Sequence, residues 1–374
     1  MPQFIAAISP FPSRHLFIVM EKRLHGEVNM ASRAGLTFTK AATSFSQRLL
    51  SAGRQSFCLD CIGKRLLSTS SKDVMNIFDR KTKRHQRNVA ARLENHHVYD
   101  YLKDEVAHRL VDRLYDISRF FPVALDLGCG KGHLSKHLTK EDVGILHQTD
   151  MSQGMLDRCT DQEVSVVSIL ADEEDLPFEK DFFDIVLSSL SLHWVNDLPG
   201  VLKKVLSCLK EDGVFLGAMF GGETLFELRT ALQLAEIEQE GGFAPHISPF
   251  AQMRDCGNLL TRAGFNLTTV DFDEITVDYP TINHLMQDLK GMGESNASWN
   301  RKSYLRRKTI EAASRIYKEY YGNADGSIPA TYQILYMIGW KPSTTQAKPL
   351  ERGSANVSLK DLGSMIKDLP KKPS

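Results

Sequence analysis

Short apolar runs alternate with segments of helical periodicity along most of the chain. Val123-Ala124-Leu125-Asp126-Leu127 reads as a buried strand, followed by a glycine-rich turn and a helix predicted through about Lys140. Gly144-Ile145-Leu146 leads a second strand that ends at Asp150, with Ser152 placed to cap the next helix. Val164 to Leu170 is β-branched and apolar and gives a third strand; Phe183-Asp184-Ile185-Val186-Leu187 gives a fourth. Apolar residues at 198, 201, 202, 205, 206 and 209 share one helix face. Asp212-Gly213 then turns into a fifth strand, Val214 to Phe220. Beyond it the pattern predicts helix from Glu223 to Arg262, an extended segment from Phe265 to Val277, helices within 281–292 and 300–321, and a last strand from Thr331 to Trp340. Upstream of the first strand lie a charged stretch, Arg80 to Arg92, and a helical pattern from Tyr99 to Tyr115. Near-continuous apolar strands alternating with helices predict an α/β fold: a doubly wound, mostly parallel sheet covered on both faces.

The folded region is expected to begin near Asn76-Ile77-Phe78-Asp79, within a domain spanning 73–340, and 341–374 to form a polar, helix-poor tail. The first 72 residues read differently. Between Met30 and Lys72 there are seven Lys or Arg and one acid, Asp60, among many Ser and Thr. That composition is expected of a mitochondrial transit peptide, a cationic segment drawn toward negative potential; a disordered basic tail is the plainer alternative. Cys58 and Cys61 have metal-ligand spacing but no second pair, and are read as chance.

Charge narrows the function classes. Lys+Arg and Asp+Glu both number 46, which argues against a nucleic-acid partner. Six scattered cysteines point to a reducing compartment rather than a disulfide scaffold. No run of apolar residues is long enough to predict a membrane-spanning helix.

In open α/β sheets ligands bind beyond the carboxyl ends of the strands, where strand order reverses. Asp126-Leu127-Gly128-Cys129-Gly130-Lys131-Gly132 falls at that place. Gly128 and Gly130 let the backbone approach a ligand, and the predicted helix beyond would aim its N-terminus at a carboxylate. A dinucleotide fingerprint needs a small residue where His133 stands, and a phosphate-binding loop needs Ser or Thr where Gly132 stands. The pattern instead resembles motif I of class I methyltransferases dependent on S-adenosyl-L-methionine (SAM), which implies a seven-stranded Rossmann-like sheet with helical additions. Two more strand ends carry acids. Asp150, with Met151 beside it, is placed to take ribose hydroxyls, or else serves as a helix N-terminal acid. Asp172-Glu173 stands where methyltransferases read the adenine amino group, or else forms a solvated loop. The expected cofactor residues are therefore Asp126, Gly128, Gly130, Gly132, Asp150, Met151, Asp172 and Glu173.

A narrower resemblance rests on Leu170-Ala171-Asp172-Glu173-Glu174, Leu176-Pro177-Phe178, and Ser188 through Pro199 with its His193-Trp194 pair. It extends through Gly217-Ala218-Met219-Phe220-Gly221-Gly222, Gly241-Gly242-Phe243, Pro245-His246-Ile247-Ser248-Pro249-Phe250 and Gly291-Met292-Gly293-Glu294-Ser295-Asn296. Over residues 74–365 the chain resembles the mitochondrial arginine hydroxylases that serve as complex I assembly factors on a methyltransferase fold. The resemblance implies hydroxylation of an arginine in an iron–sulfur subunit of respiratory complex I, early in assembly. It also implies other assembly factors as partners and peripheral contact with the matrix face of the inner membrane. A methyltransferase acting on a protein or small molecule, and a non-catalytic SAM-binding assembly chaperone, are the alternatives.

For the chemistry, His193 and Trp194 are expected at the substrate pocket, His193 as an acid/base group, an ordering group or a structural histidine. A guanidinium needs a carboxylate, and Glu223 is the first choice, with Glu227 and Glu294 behind it. His246 is a weak candidate. No metal site is expected. The His-x-Glu start of an iron triad occurs only at His25-Gly26-Glu27, inside the presumed leader.

Overall fold

Alternation along single strands sorts the core into two layers. In β1 (Phe121–Leu127) Ala124 packs to one face, while Leu125 and Leu127 pack to the other. In β4 (Phe183–Ser189) Ile185 and Leu187 join the first layer and Val186 the second. Both faces are therefore apolar, and both carry helices. The computed structural model describes residues 76–159, 163–346 and 352–354. The basic segment Met30 to Lys72, the Cys58–Cys61 pair and His25-Gly26-Glu27 lie outside the described residues.

The sheet has seven strands in the order β3-β2-β1-β4-β5-β7-β6. β2 (Val143–Asp150), β3 (Ser165–Leu170) and β5 (Leu209–Phe220) run parallel with β1 and β4. β7 (Ile328–Trp340) is antiparallel to both of its neighbours, β5 and β6 (Asn266–Tyr279). This is the expected doubly wound α/β fold, and strand order reverses between β1 and β4. α2 (Tyr101–Tyr115) covers one face with α5 (Phe226–Glu240), α7 (Ile282–Gly291) and α8 (Arg307–Tyr321). α4 (Leu198–Cys208) and α6 (Met253–Ala263) cover the other. Ser152 caps the short α3 (Gln153–Leu156) by accepting from Met155 N–H at 3.3 Å.

Three segments depart from the pattern. The helix expected after the glycine-rich turn is absent: residues 131–137 form a run of turns. Gly132 has φ of 76°, off the helical path. Lys131 and His133 are tied sideways to α2, at 2.7 Å to Asp100 and 2.6 Å to Asp104. The helix expected from Glu223 to Arg262 is broken by the loop 241–252, which begins at Gly241 in the left-handed region. Finally, the charged stretch is itself a helix, α1 (Arg80–Arg92), capped by Asp79.

Candidate active site

The turn after β1 is stitched to the next strand, since Gly128 N–H and Cys129 N–H both donate to Thr149 O at 2.8 Å. Gly128 adopts φ of 75°. A side chain there would put its Cβ 2.1 Å from Ser191 Oγ, so the position is closed to any other residue. Gly130 and Gly132 share the left-handed conformation. Gly130 N–H donates to Asp150 Oδ2 at 3.1 Å, and Ser152 N–H donates to Oδ1 at 2.8 Å. Met151 is buried beside them. Glu173, beyond β3, accepts from Ser191 Oγ at 2.6 Å, whereas Asp172 beside it is partly exposed. The expected cofactor residues thus come together at the three strand ends.

Asp126 differs from the other acids. It is fully buried, and neither carboxylate oxygen has a partner among the described residues. Burial, with the Asp150 charge adding, pushes its carboxyl up to about 8. At neutral pH it is a protonated acid facing a cavity of about 20 Å³, room for a single water.

Sequence reasoning missed the cations that face these acids. Arg87 is buried and reaches Asp150 Oδ2 at 3.3 Å, Glu173 Oε1 at 3.1 Å and Ser191 Oγ at 3.0 Å. Arg80 pairs with Asp172 at 2.6 Å and also with Glu173. Burial works to raise the Glu173 carboxyl, but Arg87 and Arg80 prevail and bring it down to about 2. Nothing in the sequence signalled them, since the stretch reads as a solvated charged face. Lys83, Arg87, Ala90 and Ala91 form the buried stripe of α1, and two of the four are charged.

A second constellation centres on Glu294. Its Oε2 accepts from Trp194 Nε1 at 2.6 Å and lies 3.3 Å from His193 Nε2; its Oε1 pairs with Lys103 Nζ at 2.8 Å. Burial would raise this carboxyl, yet Lys103, the His193 hydrogen bond and Lys83 hold it well below the carboxylate range. Lys83 is buried with Nζ 3.3 Å from the centre of the Trp194 ring, and it donates to Gly293 O and Ser295 O. Burial lowers His193, against the pull of Glu294, so the ring is neutral at pH 7. The hydrogen bond to Glu294 assigns its proton to Nε2.

The Glu294–Lys103 pair also bridges two cavities. Lys103, its partner, lines the small cavity at Asp126. Glu294 itself lines a second one of about 200 Å³, with Leu228, Phe250, Met286, Leu289 and Asn296. His246 lines this second cavity and stands 2.8 Å from Glu236. Glu223 is exposed and borders neither cavity, and among the described residues only its backbone N–H is engaged, by Gln333. Glu227 is buried but turned to Thr331, whose hydroxyl it accepts at 2.5 Å. Among the described residues no His, Cys, Asp and Glu cluster is arranged to hold a metal ion.

A family model for a methyltransferase domain matches residues 125–217, from β1 into β5. The decisive likeness spans far more of the chain. It is 57% identical to Arginine-hydroxylase NDUFAF5, mitochondrial, of Danio rerio, over 80% of this chain and 94% of that one. Identity to the Homo sapiens protein of the same name is also 57%, over 81% of this chain and 88% of that one. The chain belongs to this arginine-hydroxylase family. It is an enzyme of that type on a methyltransferase fold, in a mitochondrial family. A more distant relative, at 32% identity over 66% of this chain and 85% of its own, is Malonyl-[acyl-carrier protein] O-methyltransferase of Xylella fastidiosa (strain M23).

Proposed function

We propose that this arginine hydroxylase binds SAM at the three strand ends and modifies an arginine of an iron–sulfur subunit of respiratory complex I, early in its assembly. The observation that carries the reading is the buried Glu294 carboxylate, which lines a cavity large enough for a side chain while its partner Lys103 lines the cavity at the cofactor acids. A guanidinium entering the second cavity meets a planar carboxylate that can accept two parallel hydrogen bonds.

The cofactor residues fit SAM. Asp126 is a buried carboxyl with no donor, the group an ammonium would satisfy. Asp150 fits the ribose hydroxyls and Glu173 the adenine amino group. Bound there, SAM supplies a sulfonium centre with its positive charge and activated methyl. The protein's own groups then divide the work. Glu294 orients the substrate guanidinium and exchanges Lys103 for it. Trp194 walls the site and fixes the Glu294 plane through its 2.6 Å bond. With its proton on Nε2, neutral His193 keeps Nδ1 free to accept one, and that atom has no partner among the described residues.

A matrix-side location, with other assembly factors and the inner-membrane surface as neighbours, belongs to the same proposal. Among the described residues no helix is long and apolar enough to cross a membrane. The methyltransferase match over residues 125–217 supports a second reading, methyl transfer. Mass spectrometry of complex I subunits from cells with and without this protein separates the readings. One added oxygen on an arginine is the expected result. An added methylene would replace the proposal with methyl transfer, and no change would leave a SAM-binding chaperone.

A further inference from the structure

Arg87 sits on the ground a nucleoside would need. Its guanidinium, 5% exposed, spans both acids assigned to the ribose and the adenine, at 3.3 Å from Asp150 and 3.1 Å from Glu173. It also donates to Ser191 Oγ, the hydroxyl packed against Gly128. With Arg87 in place the cleft retains about 20 Å³. Sites for ligands of nucleoside size and above are on the order of 300–1,000 Å³. The acids and SAM are chemically matched, but the acids are already taken by the chain's own cation.

The way α1 is attached bears on whether it can yield. Its buried face consists of Lys83, Arg87, Ala90 and Ala91, so it holds no large apolar side chain against the core. Apart from Ala90 and Ala91 against Met155 of α3, and Phe78 against Trp194 just before it, it is fastened by polar contacts. At its N-terminal end Phe78 N–H donates to Asn196 and Arg80 to Asp172; in the middle Lys83 donates to Gly293 O; toward its C-terminal end Arg158 donates to Ala91 O. Water and ligand groups replace polar contacts at modest net cost, whereas lost apolar burial has no such replacement. A segment held this way is among the first to open locally.

We propose that α1 is a self-occupying lid, with Arg87 neutralising the two nucleoside acids until SAM displaces it and the helix lifts. The proposal rests on the SAM reading above. It makes Arg87 a competitor of the cofactor rather than one of its ligands. Without the lid, Asp150 and Glu173 would stand as two buried carboxylates facing each other across an empty cleft. Lys83, on the same face of α1, holds the backbone on both sides of Glu294, at 3.0 Å to Gly293 O and 2.8 Å to Ser295 O. Lifting the helix therefore also loosens the segment that carries the substrate carboxylate.

The test is calorimetric titration of SAM into the full chain, wild type and Arg87→Gln, with hydrogen exchange of residues 80–92 measured before and after saturation. The lid predicts at least tenfold tighter SAM binding to the variant, and faster exchange of 80–92 in the wild type once SAM is bound. Equal or weaker binding by a folded variant, or exchange in 80–92 that slows or stays the same, overturns it. Should Arg87→Gln fail to fold, the wild-type exchange measurement decides alone. If SAM binds neither protein while arginine hydroxylation persists, the cofactor reading falls and the lid falls with it.

Discussion

Trp194 and Glu294, 100 residues apart in the chain, meet through a 2.6 Å hydrogen bond from the indole nitrogen to a buried carboxylate. That bond joins the loop after β4 to the segment after α7, and the proposed substrate carboxylate is held by it. Glu294 is the acid of the site that lines the proposed substrate cavity, so it is the first to test.

Glu294→Gln keeps the acceptor for Trp194 and removes the charge that balances Lys103. Breaking a buried pair from one side costs about 3–5 kcal/mol, and that loss is expected by denaturant unfolding at pH 7. Arginine modification, read by mass spectrometry, should fall at least tenfold. The exposed Glu223→Gln should leave both quantities nearly unchanged. The pH dependence has a definite sign. Because the folded carboxyl titrates well below its unfolded value, its contribution is present above about pH 4.3 and is lost as pH falls further. The variant should show a flatter acid limb.

Asp126 runs the other way. Its folded value of about 8 stands above the ordinary aspartate value of 3.8, so the folded protein holds a proton that the unfolded chain has released. Stability is then full below the unfolded value and declines by about 1.4 kcal/mol per pH unit until the folded value is passed. Asp126→Asn, neutral throughout, should remove that slope and stabilise the unliganded protein at pH 7 by a few kcal/mol. It should also weaken SAM binding, because the acceptor for an ammonium is gone. Thermal melts across pH 5–9 with and without SAM would separate the effects; a slope that persists in the variant contradicts the assignment.

Gly128→Ala sets a Cβ 2.1 Å from Ser191 Oγ on a left-handed backbone. The backbone alone costs about 1–2 kcal/mol, and the clash must also push Ser191 away from Glu173. SAM binding should be lost, and stability should fall by more than the backbone cost alone. Gly242→Ala is the matched control, with nothing within 4 Å of the added carbon, and should behave as wild type.

Asp150→Ala removes the proposed ribose acceptor and one partner of Arg87. A hydrogen bond lost in a buried site costs about 1–3 kcal/mol, or roughly 5- to 150-fold in SAM affinity. Equal calorimetric affinity in a folded variant would remove Asp150 from the cofactor site.

The central strands β1, β4 and β5 were readable because they carry near-continuous apolar runs, and the acids were readable because they stand at or just beyond strand ends. Asp126, Asp150 and Glu173 lie where strand order alone put them. The turns at 131–137 were not readable, because Lys131 and His133 are drawn out of a helix by Asp100 and Asp104, partners on an element thirty residues upstream. Lys83 and Arg87 were missed for a related reason. A stretch as charged as Arg80 to Arg92 has the composition of a solvated surface, and only the acids of distant strand ends turn one face of it inward. Glu294 could be named as a carboxylate in a glycine-flanked run, but its choice over Glu223 depends on Trp194 and Lys103, which approach from two other elements.

Among the described residues β7 is the last strand, and yet it lies inside the sheet, between β5 and β6. Among the described residues β6 pairs with β7 alone along Asn266–Tyr279. Made or threaded from the N-terminus, the chain therefore presents β6 before its only neighbour exists, and the β5 edge stays open until residues 328–340 arrive. The first five strands can associate early, whereas β6 and β7 must wait for residues 328–340. A stop codon before Ile328 would thus do more than shorten the protein: it would leave β6 with no strand beside it and a long apolar edge on β5 exposed to other chains.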